Sequence, residues 1–163
     1  MKTNRRPQRG VALMEALVAV LLLSVCALAY AALQLRGLSS NTSSMWRSKA
    51  ALLAYEMSDR MRANRTGVTT GKYNNLIAAE ALAECGGAVA CQPDEMAKLD
   101  YSLWNTAIAN ELPGANGAVC LDATPDDGTT AAPACDGAGT TFAVKVFWKE
   151  RGEESRLSVA VRP

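Results

Sequence analysis

The chain has 163 residues, with 17 Lys+Arg against 16 Asp+Glu, no His and 49% hydrophobic residues. That length suits one domain with at most an appended helix, and a net charge of +1 lacks the basic surplus of a nucleic-acid binder. Without His there is no Ser-His-Asp or Cys-His nucleophile pair, no His-ligated zinc and no imidazole proton shuttle. The charges are unevenly spread, for between Val11 and Gln34 the only one is Glu15.

The N-terminus reads as a membrane segment. Lys2, Arg5, Arg6 and Arg9 place four cations and no acid in residues 1–10. Val11–Leu33 follows, 23 residues that are apolar apart from Glu15 and Ser24. A helix of that length covers ~34 Å, enough for a hydrocarbon core of ~30 Å. The basic flank keeps the N-terminus cytoplasmic and exports the rest. A secretory signal cut near Ala29 or Ala31 fits poorly, because its apolar region is normally ~7–15 residues and carries no acid. A plain anchor leaves Glu15 unexplained, since an acid at bilayer depth costs ~2.5–3.5 kcal/mol or more.

Gly10-Val11-Ala12-Leu13-Met14-Glu15 resembles the type IV pilin (class III) signal: a short basic leader ending in Gly, then an apolar helix with Glu at its fifth position. The resemblance implies that a prepilin peptidase cuts between Gly10 and Val11 and methylates the new amino group. It also implies that Glu15 meets the positive N-terminus of a neighbouring subunit, so its burial is compensated on assembly. Val11 departs from the Phe common at the first mature position. Cleavage would remove four cations and turn the charge balance acidic.

Beyond Leu33, Trp46, Ala50, Leu53, Met57 and Met61 recur at helical spacing and predict a core-packing stripe. Glu56–Arg60 and Asp59–Arg62 fall at i,i+4 and i,i+3 on the outer face. Gly37 and the run 39–44 are weak helix formers that suggest a soft joint. With no Pro between Pro7 and Pro93, one helix from about Ala12 to Asn64 is expected, ~80 Å long. The run 51–65, with Asp59-Arg60-Met61-Arg62-Ala63-Asn64 at its centre and Gly67 and Tyr73 after it, resembles the minor-pilin group of type IV pilus modification proteins (PilV).

Residues 66–75 are turn-rich, and a short helix is expected over Leu76–Glu84. Pro93-Asp94-Glu95 opens a further helix, whose expected apolar face is Met96, Leu99, Leu103, Ala107 and Ile108, ended by Pro113-Gly114. Ala118–Leu121 is a short strand candidate, and Asp122–Gly139 a long loop. Thr141–Lys149 alternates, with Phe142, Val144, Val146 and Trp148 on one face and Ala143, Lys145, Phe147 and Lys149 on the other. Ser155–Arg162 alternates as well, with Leu157, Val159 and Val161 inward. The Gly-containing turn 150–153 joins the two as a hairpin, and the resulting antiparallel sheet can cover the helix stripe. Trp104 and Trp148 are expected as core or rim aromatics.

Cys26 lies in the apolar run and reads as a membrane-helix side chain. Cys85, Cys91, Cys120 and Cys135 lie in the exported part and suggest two disulfides, with three possible connectivities. Cys85–Cys91 and Cys120–Cys135 are favoured because each closes a local loop. The spacings lack zinc-finger character, so no metal site is expected. Asp126-Asp127-Gly128 lacks the spaced ligands of a calcium loop and reads as solvated. No pair of acids forms a catalytic constellation, and no enzyme activity or cofactor is expected. Asp94 and Glu95 suit a helix N-terminus.

The expected fold is α+β: a long N-terminal helix, membrane-spanning in its first half, packed on a small C-terminal antiparallel sheet, as in type IV pilins. The expected organisation is a leader over 1–10, a transmembrane and assembly helix over 11–35, and a periplasmic globular domain over 36–163 that includes the second half of the helix. The resemblance implies a minor pilin in the inner membrane that helps prime pilus assembly and sits at the pilus tip. Its partners would be the prepilin peptidase, other minor and major pilins and the inner-membrane assembly platform. A type II secretion pseudopilin shares the same N-terminal chemistry. A tip adhesin or DNA-uptake subunit stays open as well, although no basic-aromatic cluster stands out for nucleic acid.

Overall fold

A computed structural model describes residues 9–79 and 90–162. Helix α1 runs Arg9–Ala63, α2 Arg65–Thr69 and α3 Pro93–Glu111. Strands β1 (Asn116–Leu121), β2 (Phe142–Glu150) and β3 (Glu153–Val161) form one antiparallel sheet in the order β1-β2-β3. The chain divides into two compact units, the first ending at Thr42 and the second starting at Ser43.

In the first unit the helix passes through Gly37 and on to Thr42 without a break. Hydroxyls there turn back onto their own helix, as Thr42 Oγ1 does on the Leu38 carbonyl at 3.0 Å. The apolar side chains stand out of the helix unpacked, Leu28 being 72% exposed. By length and composition this is the one described helix able to cross a membrane.

The second unit has the core. Ala50, Leu53, Ala54, Met57 and Met61 of α1 are buried against Phe142, Val144, Val146 and Trp148 of β2, with Val119 and Val161 at the flanks. The stripe thus packs as its spacing requires, with Trp46 at its partly buried end. Helix α3 closes the core, but through a different face from the one expected. Ala97, Tyr101, Trp104 and Ile108 point inward, while Leu103 is 47% exposed. The aromatics settle the rotation. The Trp104 indole N–H donates to the Leu53 carbonyl at 2.7 Å, and the Tyr101 hydroxyl donates to the Gly117 carbonyl at 2.8 Å. Burial pushes the Tyr101 phenol up to about 12.

A capping box opens α3. The Gln92 side chain and Glu95 bond each other's backbone N–H groups, with Pro93 in the first turn. The helix expected at Leu76–Glu84 does not start there. Leu76 instead bonds Val119 through both its N–H and its carbonyl, each at 2.9 Å, and residues 77–79 are not helical. Closing the β1 edge outweighs local helix preference at Leu76. Residues 80–84 of that expectation lie outside the described residues, as does Cys85.

The hairpin between β2 and β3 turns on Arg151 and Gly152, both at positive φ (55° and 86°), between the paired Glu150 and Glu153. This is the two-residue turn that matches strand twist.

The loop 122–139 is not a solvated excursion. It lies over the second face of the sheet, where Ala143, Lys145 and Phe147 are buried. Ser158 Oγ donates to the Pro125 carbonyl, and Arg156 donates to the carbonyls of Asp126 and Gly128. A disulfide joins Cys120 of β1 to Cys135 with a Cα–Cα distance of 5.9 Å. Its 15-residue separation corresponds to ~3 kcal/mol of stabilisation in the chain-entropy model. Cys135→Ser is therefore expected to lower domain stability by about that amount, read as a shifted urea midpoint with unchanged m. An unshifted midpoint would show that the bridge constrains little in the unfolded chain.

Candidate functional site

The residues expected at the processing and assembly site lie on the first turns of α1. Gly10 and Val11 are already helical, and Val11 is 65% exposed. Glu15 is exposed on the same helix, and its i±3 and i±4 neighbours are Val11, Ala12, Val18 and Ala19, with Leu22 two turns on at i+7. Among the described residues it has no ion-pair partner. A charged side chain ringed by uncovered apolar ones fits neither water nor lipid. Covering each large apolar side chain is worth ~1.5–3 kcal/mol, and an acid within such a covered segment is costly unless it is paired.

The second unit has an apolar surface that the helical spacing of the stripe does not include. On α1, Met45, Leu52 and Tyr55 are 50%, 69% and 58% exposed, on the side opposite the packed stripe. The available signal was composition: residues 50–57 are apolar nearly all round, the mark of a helix covered on every side.

The run 59–64 forms a clasp between helices. Arg60 donates to Glu56 Oε1 at 2.7 Å and reaches Asp100 Oδ1 at 3.5 Å. Burial works against the Arg60 charge, but the hydrogen bond to Glu56 and the nearby acids outweigh it and raise the guanidinium above its ordinary value. Arg62 pairs with Asp59 at 2.7 Å, and Met61 belongs to the core. Asn64 caps α2 by accepting from the Gly67 N–H at 3.1 Å. Its amide donates to the Pro93 carbonyl at 2.8 Å and to the Tyr73 hydroxyl at 3.2 Å. Tyr73 in turn donates to Asp100 Oδ2 at 2.5 Å. Burial, then the bond to the Asp100 carboxylate and its charge, hold the Tyr73 phenol protonated well beyond its usual range. A Cβ at Gly67 would collide with the Asn64 side chain. The motif, Gly67 and Tyr73 therefore belong to one network that fixes the end of α1 to α2 and α3. It holds the fold; its polar groups are spent on each other.

The sheet's second face contains an ion cluster that spacing did not reveal. Lys145, fully buried on β2, places its ammonium 2.5 Å from Asp122 Oδ2, 2.7 Å from Asp127 Oδ1 and 2.9 Å from the Pro133 carbonyl. The hydrogen bond from Lys145 holds the Asp127 carboxyl below its ordinary value. Asp127 is thus a partner of the sheet, whereas Asp126 is solvated and meets only Arg156, at 3.4 Å. Of the cysteines, Cys120 and Cys135 form the bridge described above, Cys91 is disulfide-bonded, and Cys26 is free and exposed. No group of three or more metal-ligating side chains occurs among the described residues.

Residues 32–102 match a family model described as Tt1218-like, type IV pilin Tt1218. The chain is type IV pilin-like. The match spans the clasp and the α1 stripe, and the α+β architecture of a long helix on a small antiparallel sheet agrees with it. The match supports a structural, non-enzymatic, pilin-type role in a pilus or pseudopilus, in contact with other pilins. Its long apolar N-terminal helix suits membrane anchoring. No curated protein and no solved structure matches the chain.

Proposed function

We propose that this pilin-like chain is a minor pilin of the type IV pilus, of the PilV kind, that helps prime pilus assembly. The observation that carries the reading is Glu15, a lone acid five residues after Gly10 in an uncovered apolar helix. In this mechanism residues 1–10 are the leader. A prepilin peptidase cuts between Gly10 and Val11 and methylates the new amino group. Residues 11–35 hold the subunit in the inner membrane, with the domain, residues 36–163, in the periplasm. During assembly the Glu15 carboxylate meets a neighbour's N-terminal ammonium, so its transfer out of water is compensated in the filament. The α1 surface at Met45, Leu52 and Tyr55 supplies further area for helix packing.

Gly10→Val is expected to leave a precursor that keeps residues 1–10, whereas the unsubstituted protein begins at a methylated Val11. Intact-mass measurement of the purified protein reads both. A mature N-terminus elsewhere, or normal processing of Gly10→Val, would defeat the reading. Deletion of the gene should abolish surface piliation and twitching. Normal piliation with impaired protein secretion would instead assign the chain to a type II secretion pseudopilus, whose N-terminal chemistry is the same.

A further inference from the structure

The two edges of the sheet are treated differently. The paired Glu150 and Glu153 flank the hairpin turn, which fixes the ladder parity along β3. Residues 153, 155, 157, 159 and 161 bond β2, and residues 154, 156, 158 and 160 turn their N–H and carbonyl groups outward. On the β1 edge every outward position is occupied. Gly117 N–H bonds Asn105 and its carbonyl accepts from Tyr101, Val119 bonds Leu76 twice, and Leu121 N–H bonds Asn74. On the β3 edge the outward backbone groups of Glu154, Arg156, Ser158 and Ala160 have no partner among the described residues. This edge is nine residues long, with no proline and no bulge in its pairing. The Arg156 and Ser158 side chains are drawn away onto the loop 122–139. Proline and a bulge, two of the devices that blunt an edge, are missing, and the charges of Glu153, Glu154 and Arg156 lie toward the hairpin end, leaving Leu157–Val161 uncharged.

A hollow of about 240 Å³ lies where this edge ends, lined by Met61, Arg62, Arg65, Val68 and Val161. Arg62 already pairs with Asp59, but Arg65 has no acidic partner among the described residues.

We propose that β3 accepts an extended segment of a second, different protein as a fourth strand. That segment carries apolar side chains at alternate positions, next to Leu157 and Val159, and ends in an apolar residue over the hollow with an acid against Arg65. A second copy of this chain paired antiparallel through its own β3 does not suit the edge. The β3 hairpin starts beside Ser43, where Glu150 Oε2 accepts from the Ser43 hydroxyl at 3.2 Å, and Val161 ends beside Met61. β3 therefore runs in the same sense as α1. Antiparallel self-pairing would point the α1 helices of the two copies in opposite directions, although both start from one membrane. The inference rests on the chain being a subunit of a multi-protein assembly.

The test uses the full-length chain in its own cells, with a photoreactive phenylalanine derivative introduced separately at Glu154 and at Ala160, both exposed. Each is expected to give one adduct with the same extended segment of one other protein, at sites about six residues apart, as strand pairing requires. Ala160→Pro removes an outward N–H without touching the β2 ladder. With the probe at Glu154, it is expected to lower adduct yield at least ~10-fold, and Arg65→Glu, outside the sheet, to do the same. Adducts scattered over many proteins, an adduct to another copy's β3, no adduct, or yields unchanged in both variants would each overturn the proposal. The mass of the N-terminus at Val11 reports separately on the pilin processing, so the two readings fail independently.

Discussion

Lys145→Met is expected to destabilise the domain by ~3–5 kcal/mol, a fall in Tm of ~10–20 °C, measured on the full chain in detergent. Asp122 and Lys145 are almost wholly enclosed, with side-chain exposures of 0% and 1%. Removing the ammonium leaves the Asp122 carboxylate buried with only the Thr124 N–H, at 2.9 Å, and its weakly placed hydroxyl. Asp122→Ala should cost less, because Lys145 keeps Asp127 and the Pro133 carbonyl. The double variant Lys145→Met, Asp122→Leu should recover much of the loss, since apolar groups of similar volume need no partner. A double variant as unstable as Lys145→Met would show that the packing around the site, not the stranded charge, carries the cost. The cluster also fixes the sign of an acid response. The folded value of Asp127 is depressed by Lys145, so its contribution is present above the unfolded carboxylate value of ~3.9 and is lost as pH falls through the lower folded value. Lys145→Met should flatten the stability profile in that acid window.

Trp104→Ala is expected to cost ~3–5 kcal/mol. The ring is fully buried, packs near Tyr101 at a centroid distance of 5.9 Å, and anchors α3 to α1 through Leu53. Its opposite side leans on Gly117, where an added Cβ would collide with the indole and with Ile108. Gly117→Ala alone should therefore cost ~1–3 kcal/mol by overpacking. In the Trp104→Ala background the same methyl enters vacated space, and its penalty should vanish or reverse. Urea unfolding of the four species gives the coupling directly. Additive losses would mean that the strand and helix relax independently at this contact.

The helix stripe Ala50–Met61, the hairpin at Arg151-Gly152 and the alternation of β2 were legible because each is a local periodicity or a local backbone requirement. The rotation of α3 was not. Met96, Leu99 and Leu103 make as regular a stripe as Ala97, Tyr101, Trp104 and Ile108, and the choice fell to two aromatic groups whose polar tips needed acceptors on α1 and β1. Leu76 likewise left the helix expected of it because Val119, 43 positions later in sequence, needed both its backbone bonds completed. Asp127 looked like a solvated loop acid because nothing near it in sequence announces Lys145.

The two materials of this chain, an apolar helix with a single acid and a polar domain, are written in the order of its residues, because hydrophobicity and its period act along the chain. The sequence also carried the run 59–64, although not the reason for it. Only the tertiary structure showed that run to be a clasp with Tyr73 and Asp100. It was also the tertiary structure that folded the loop 122–139 over Lys145 and left the β3 edge open while closing that of β1. These outcomes depend on which buried donor or charge meets which distant partner, and a hydrogen bond or ion pair across tens of residues leaves no periodic trace in either segment.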